Sequence, residues 1–287
     1  MDVLDNQTAS ISIQPGHLKE IIKETRNSGK NYLDISISIG NHPAVMMAAA
    51  LRPAKNVSEY DVANTFLGGG LDLFKCPNVN AVAPISSELV LEARLMVNEF
   101  ADEGPYVCVT GTLKPAKEMP VVKIIGAITQ NNYLYQGLLG AGVEHRLLES
   151  IPNEVKIWQR LNQLGYLIHG VHMTPNGSSW LHCILSIQKQ NEDEPRNILR
   201  IVFETVPAVK HAVIVDDDIN PFDMGKVEWA LATRFQADKD LMILPETYAS
   251  RLDPSSNQEK KTGCKLGFDA TIPLDGDKTD YLWAKIP

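Results

Sequence analysis

The sequence predicts a mixed α+β fold in two parts, a β-rich first half of barrel or sandwich type and an α/β second half. Three observations carry this expectation. Between residues 71 and 130 the chain reads LDLFKC, ELVLEARL, YVCVTGTL and VVKIIGAIT, short runs of β-formers bounded by Pro, Gly or Asn, the texture of an all-β centre. After about Gly142 strand and helix patterns alternate, which favours helices packed on a partly parallel sheet. The 287 residues, 44% of them hydrophobic, suffice for a large core divided between two domains. The boundary is placed so that they span 1–142 and 143–287.

In order along the chain, ISIQ alternates as a short strand, Pro15-Gly16 breaks it, HLKEIIKETR has helical spacing and YLDISISIG alternates again, which reads as a β-α-β unit. His42-Pro43 opens an apolar helix, AVMMAAALR, since proline suits the first helical turn. Residues 59–66 suggest another helix that ends in a tight turn at Gly68-Gly69-Gly70. After the four β runs comes the long helical segment HRLLESIPNEVKIWQRLNQLG, which Pro152 should interrupt. Then follow the strands YLIHGVHM and LHCILSIQ, the helix NILRIVFETV, the strand HAVIVDDD, the helix GKVEWALATR and the strand LMILP. Residues 191–194 and 255–262 are polar loops.

Composition removes several function classes. A net charge of −8 without any basic run argues against nucleic-acid binding, which needs clustered Lys and Arg. No apolar run reaches the roughly 18 residues of a membrane span, and MDVLDNQTAS lacks the basic and apolar parts of a targeting peptide. Cys76, Cys108, Cys183 and Cys264 are far apart with no CxxC pair, so they read as reduced thiols and the expected location is the cytoplasm.

Several segments in collinear order resemble one family: IQPGH (13 to 17), IGNHPAV (39 to 45), SEYDVANTFLGGGLDLFKC (58 to 76), APISSELVLEA (83 to 93), EGPYVCVTG (103 to 111), VDDDI (215 to 219), WALATR (229 to 234), LDPS (252 to 255) and GFDAT (267 to 271). The chain is similar to the UbiD-like prenylated-flavin-dependent decarboxylases along nearly all its length. That resemblance implies a split β-barrel flavin-binding domain followed by an α/β domain. It also implies reversible, non-oxidative decarboxylation of an aromatic or α,β-unsaturated acid, with prenylated FMN as electron sink, Mn2+ or Mg2+ at its phosphate, and K+ as an optional further ion. The difficult chemistry would belong to the cofactor. Relatives generally associate, so the resemblance also implies a homo-oligomer or a complementing subunit.

Residue by residue, His17 matches the family's metal-binding histidine and Glu59 its metal-binding glutamate. An imidazole and a carboxylate suit a Mn-like ion, and a helix start favours a phosphate. Read alone, His17 would be a surface or capping histidine and Glu59 a helix-start carboxylate that complements the dipole; Asp61 is the alternative ligand one short step away. Lys210 is a candidate phosphate contact, against the plainer reading of an exposed lysine. Glu103 matches the first glutamate of the motif usually written EGPFGE. In the family an arginine and two glutamates act together, and one glutamate returns a proton to the carbon that lost carbon dioxide.

Cys108 stands where the second glutamate would be. A thiol has a pKa of about 8.5 against about 4.3 for a glutamate, so it is a weaker acid and reaches less far. The plain alternative is an inward residue of an alternating strand, YVCVTG; a nucleophile with His145 or His17 as base has no motif behind it. The family's asparagine ligand and catalytic arginine lie upstream of IQPGH, where this chain has only residues 1–12, and Asn6 cannot simply take that role. The expectation is a truncated or split decarboxylase, or a non-catalytic subunit that assembles with a full-length relative. A generic magnesium site at Asp216, Asp217 and Asp218 carries little weight, because helix capping and pairing with Arg234 explain the run as well.

Overall fold

The computed structural model describes residues 1–13, 16–51, 53, 56–275 and 277–284. Pro15 of the expected break and Arg52 at the end of the expected AVMMAAALR helix lie outside them. The chain forms two compact units, Met1–Tyr106 with Leu113–Leu138, and Val107–Thr112 with Leu139–Pro287.

The first unit contains β1 (Asp2–Val3), β2 (Thr8–Ser10), α1 (His17–Asn27), β3 (Tyr32–Ile39), α2 (Pro43–Leu51), α3 (Glu59–Phe66), β4 (Leu73–Lys75), β5 (Val82–Pro84) and β6 (Leu89–Glu103). The short strands β7 (Tyr106–Val107) and β8 (Leu113–Lys114) precede β9 (Lys117–Thr129). Its main sheet has the order β1-β2-β9-β6-β3, antiparallel throughout. Alternation in β3 sends Leu33, Ile35 and Ile37 into a cluster with Ile22 of α1, Ala93, Leu95 and Val97 of β6, and Val122 of β9. Where β6 and β9 pair, Glu92 is buried, and its two oxygens accept from the backbone and side-chain N–H groups of Asn78 at 2.7 and 2.6 Å. Gly126 leaves room for it, since a Cβ there would come within 2.7 Å of Glu92 Oε2.

Two expectations for this unit change. The early strand is β2 rather than ISIQ, of which Gln14 lies outside the described residues: Ile11 makes one more rung, its N–H donating to the Pro120 carbonyl at 3.1 Å, and residues 11–13 are not part of the strand. The expected β-α-β unit is not a parallel pair, because β9 and β6 stand between β2 and β3. Among the described residues the sheet does not close into a barrel.

The second unit has α4 (Val143–Gln163), β10 (Ile168–Met173), β11 (His182–Ile187), α5 (Glu194–Thr205), β12 (His211–Asp216), α6 (Met224–Arg234), α7 (Ala237–Asp240), β13 (Leu241–Tyr248) and β14 (Thr262–Ala270). The sheet order is β10-β11-β12-β14-β13, with β11, β12 and β14 parallel and the two edges antiparallel. Successive residues of the central strands serve opposite faces. Cys183, Leu185, Ala212 and Ile214 pack with Ile157 and Leu161 of α4 and Ile198 and Val202 of α5; Ile184, Val213 and Val215 pack with Val227 and Ala230 of α6. Burial on both faces explains why these strands read as unbroken apolar runs. Pro152 does not interrupt α4, which runs through it with the ring buried; beside it Asn153 Nδ2 donates to the Glu149 carbonyl at 3.0 Å. Among the described residues no helix is long and apolar enough to cross a membrane.

Two titrating groups of this unit work against each other. Burial, helped by His211 and His172, depresses His182 to about 4, whereas burial raises Asp216 to about 6 against the pull of the Ile272 N–H and Arg234. Between pH 4 and 6.5 the unfolded chain holds the His182 proton and the folded one does not, so that term loses about 3 kcal/mol as pH falls. Between pH 4 and 6 the folded chain holds the Asp216 proton and the unfolded one does not, so that term gains a similar amount as pH falls. Denaturant melts are therefore expected to show His182→Gln more stable toward pH 4, relative to wild type, and Asp216→Asn less stable. The same slope in both variants would refute the opposition.

Candidate functional site

Sequence-distant donors meet in the first unit. His17 is the first residue of α1 and Glu59 the first of α3, which Ser58 caps by accepting from the Tyr60 N–H at 3.1 Å. His17 Nδ1 lies 3.2 Å from Glu59 Oε1, and the side chains keep 30% and 40% of their exposure. Asp61, the alternative ligand, is exposed on the first turn of α3.

The pair fits a hard divalent ion. Two donors at about 2.1 Å from a metal and at right angles to it stand about 3 Å apart, and the residual exposure leaves positions for water or phosphate oxygens. The starts of both helices add positive partial charge beside an anion. Among the described residues no group of three His, Cys, Asp or Glu gathers around one point.

Glu103 ends β6 and is only 5% exposed. Its Oε1 is 2.8 Å from the Met1 amino group, while Oε2 is buried with no partner among the described residues. The following Gly104 has φ +106 and donates its N–H to Asp2 Oδ2 at 2.6 Å, so the chain turns sharply right after the carboxylate.

Cys108 belongs to the second unit and corrects the strand reading: YVCVTGTL is not one strand, and the thiol sits at a turn between β7 and β8. Its N–H donates to the Thr112 carbonyl at 3.1 Å, and the Gly111 N–H, at φ +74, donates back to the Cys108 carbonyl at 2.9 Å. The sulfur contacts the hydroxyls of Thr110 and Thr112, which lie 2.8 Å from each other. Burial pushes this thiol up, yet the hydrogen bonds of Thr110 and Thr112 outweigh it and hold the thiol below its ordinary value. The two threonines were not singled out from the sequence; hydroxyls two and four residues after a cysteine are the signal that was available.

The remaining candidates have defined partners in the second unit. Lys210 Nζ is 2.9 Å from Asp253 and bonds the Ser255 hydroxyl at 2.5 Å. Asp216 and Asp218 pair with Arg234. His145 Nδ1 accepts from the Ala141 N–H at 3.1 Å.

Comparison with known proteins gives the family. Residues 1–142 match the model of the 3-octaprenyl-4-hydroxybenzoate carboxy-lyase Rift-related domain, and residues 146–270 match that of the C-terminal domain of the same carboxy-lyase. The chain is 34% identical over 285 residues to an anhydromevalonate phosphate decarboxylase of Aeropyrum pernix, covering 99% of this chain and 64% of that protein. Among solved structures it resembles the UbiD-class enzyme HmfF from Pelotomaculum thermopropionicum in complex with FMN, with a TM-score of 0.95 and 34% identity over 100% of this chain and 64% of that one. An evolved dimeric form of HmfF in complex with prFMN gives a TM-score of 0.88 at 31% identity, covering 100% and 62%. The chain thus spans about 64% of the length of the Aeropyrum pernix decarboxylase and of the FMN-bound HmfF chain.

Proposed function

Because the chain belongs to the UbiD family of carboxy-lyases, we propose that it is the cofactor-holding part of a prenylated-FMN-dependent decarboxylase of an aromatic or α,β-unsaturated carboxylic acid. The observation that carries the reading is the meeting of His17 and Glu59 at two helix starts. These two residues would hold Mn2+ or Mg2+ at the cofactor phosphate. The first unit would be the split-barrel flavin domain. When bound, the modified flavin supplies the electron sink for loss of carbon dioxide.

The chain's own groups do the rest. The buried Oε2 of Glu103 has no protein partner among the described residues, so it is free to orient or exchange a proton with a bound acid. Cys108 would return a proton to the carbon that loses carbon dioxide, in the place of a carboxylate. The four free thiols suit a reducing cytoplasm.

A second reading has its own observation. His17 and Glu59 supply two of the six donors an octahedral ion takes, and the relatives are longer. A complementing polypeptide, or a full-length relative with which this chain acts as a subunit, would then complete the site.

Co-production with a prenyltransferase that makes the cofactor is the direct test. Flavin absorbance with about one Mn per chain and release of carbon dioxide from a panel of unsaturated and aromatic acids is the expected result; colourless, metal-free protein refutes the first reading. Flavin and metal without turnover, restored by a full-length relative, supports the second. In an active holoenzyme Cys108→Ser is expected to lower kcat about a hundredfold, as removal of a general acid does, with flavin content unchanged.

A further inference from the structure

We propose that Thr110 and Thr112 are positioning residues that make Cys108 a competent proton donor. The inference rests on the reading above, in which Cys108 stands at the proton-transfer position.

A buried cysteine that only fills space behaves as a small hydrophobe and needs no polar company. Here the 5% exposed thiol is met by two hydroxyls that also bond each other. The surrounding turn fixes that meeting: the Cys108 N–H bonds the Thr112 carbonyl and the Gly111 N–H returns to Cys108. Gly140 carries the turn on its bare Cα, since a Cβ there would come within 2.6 Å of the Val107 carbonyl oxygen. The backbone is thus closely packed at Val107, the residue before the thiol, and the turn's own hydrogen bonds hold Cys108 and Thr112 together.

The chemistry follows from the charge that appears on transfer. The S–H bond breaks, a C–H bond forms at the carbon that has lost carbon dioxide, and the electron pair stays on sulfur. The resulting thiolate accepts from the two threonine hydroxyls, which favour the charged form, and then regains a proton from water. Replacing a carboxylate by a thiol costs acidity, about four units between the ordinary values; donors aimed at the sulfur recover part of it.

Other charges nearby do not supply this effect. On the first turn of α4 stand Glu144, His145 and Arg146. Arg146 Nη2 passes 4.0 Å from where a Cβ on Gly111 would sit, with its Nε buried and unpartnered among the described residues. The influences that outweigh burial at the thiol are all hydrogen bonds from Thr110 and Thr112.

The test reads the thiol directly and needs neither cofactor nor turnover. Wild-type protein is alkylated with iodoacetamide from pH 5 to 10, and modification at Cys108 is followed by peptide mass spectrometry, with the exposed Cys264 as internal reference. The plateau rate reports access and the midpoint reports ionisation. The expected midpoint lies below about 8.5, moves up by about one unit or more in Thr110→Val/Thr112→Val, and returns in Thr110→Ser/Thr112→Ser. A midpoint that is the same in wild type and the valine variant overturns the proposal, and so does failure of the serine variant to restore it while circular dichroism shows the fold intact. In the loaded enzyme the valine variant should lose about tenfold in kcat with KM unchanged. Absence of flavin or turnover in wild type would sink the decarboxylase reading and leave the alkylation result standing.

Discussion

His17→Ala and Glu59→Ala, each made in protein co-produced with the flavin prenyltransferase, are expected to remove bound manganese and most of the flavin together. Each variant deletes one of the two donors that meet at 3.2 Å. Loss of an outer-shell partner alone costs a metal 10- to 100-fold in affinity, so loss of a direct ligand should cost at least about a hundredfold. The flavin should follow, because without the ion its phosphate faces the Glu59 carboxylate, or the bare imidazole, uncompensated. Glu59→Gln separates charge from shape: it keeps the helix start and the reach but supplies a weaker oxygen donor, and should retain only part of the metal. Asp61→Ala serves as the control, since Asp61 is exposed on the same turn. Metal content by elemental analysis and the flavin spectrum decide the matter; full occupancy in both alanine variants would mean that the pair is an ordinary surface contact.

The legibility of this site in the sequence was uneven, for physical reasons. Both helix starts were readable to the residue, and α3 at its end as well, because His17 and Glu59 follow a glycine and a capping serine and Phe66 precedes the Gly68-Gly69 turn, whose residues take φ of +67 and +95; α1 runs one residue past the expected HLKEIIKETR. That the two helix starts meet is a tertiary fact; the motif resemblance pointed to it and periodicity could not. Pro152 misled because a lone proline in a long helix is read locally, while α4 is held by Ile157 and Leu161 in the core. The strand β14 was absent from the expected elements: TGCKLGFDA mixes Gly, Lys and Asp into a central position. Lys265 tolerates that position only because its Nζ donates to the carbonyls of Pro207 and Val209 at 2.7 and 2.6 Å. Gly267 is needed where β14 meets α5, since a Cβ would lie 2.7 Å from Leu199 Cδ1. Cys108 was mislocated because alternation in YVCVTG imitates a strand, whereas Thr110 and Gly111 turn the chain.

Arg234→Ala is expected to cost the second unit about 3–5 kcal/mol, a loss large enough to leave a marginal domain partly unfolded. Arg234 closes α6 with its side chain fully buried. Nη1 donates to Asp216 Oδ2 at 3.0 Å and to Asp218 Oδ1 at 2.8 Å; Nη2 donates to Asp218 Oδ2 at 2.6 Å and to the Tyr281 carbonyl at 2.9 Å. The guanidinium also lies 5.1 Å from the Trp229 ring centroid, and Trp229 stacks edge-on against Trp283. One cation therefore ties the end of β12, the end of α6 and the 277–284 segment. Removing it strands two carboxylates, of which Asp216 keeps only 15% exposure. Asp216 is already pushed up to about 6 by burial, so losing its cation moves it further in the same direction. The defect relative to wild type should ease as pH falls from 7.5 toward 6, because there the variant's fold takes up a proton that neither the wild-type fold nor the unfolded chain, with an ordinary aspartate, holds. Arg234→Met combined with Asp216→Asn and Asp218→Asn should recover much of the loss, since a neutral cluster has no buried charge to abandon. Urea melts of wild type and these two variants at pH 5 and 7.5 give the answer; an Arg234→Ala protein as stable as wild type at pH 7.5 would show that water reaches the carboxylates and the cluster is not a closed one.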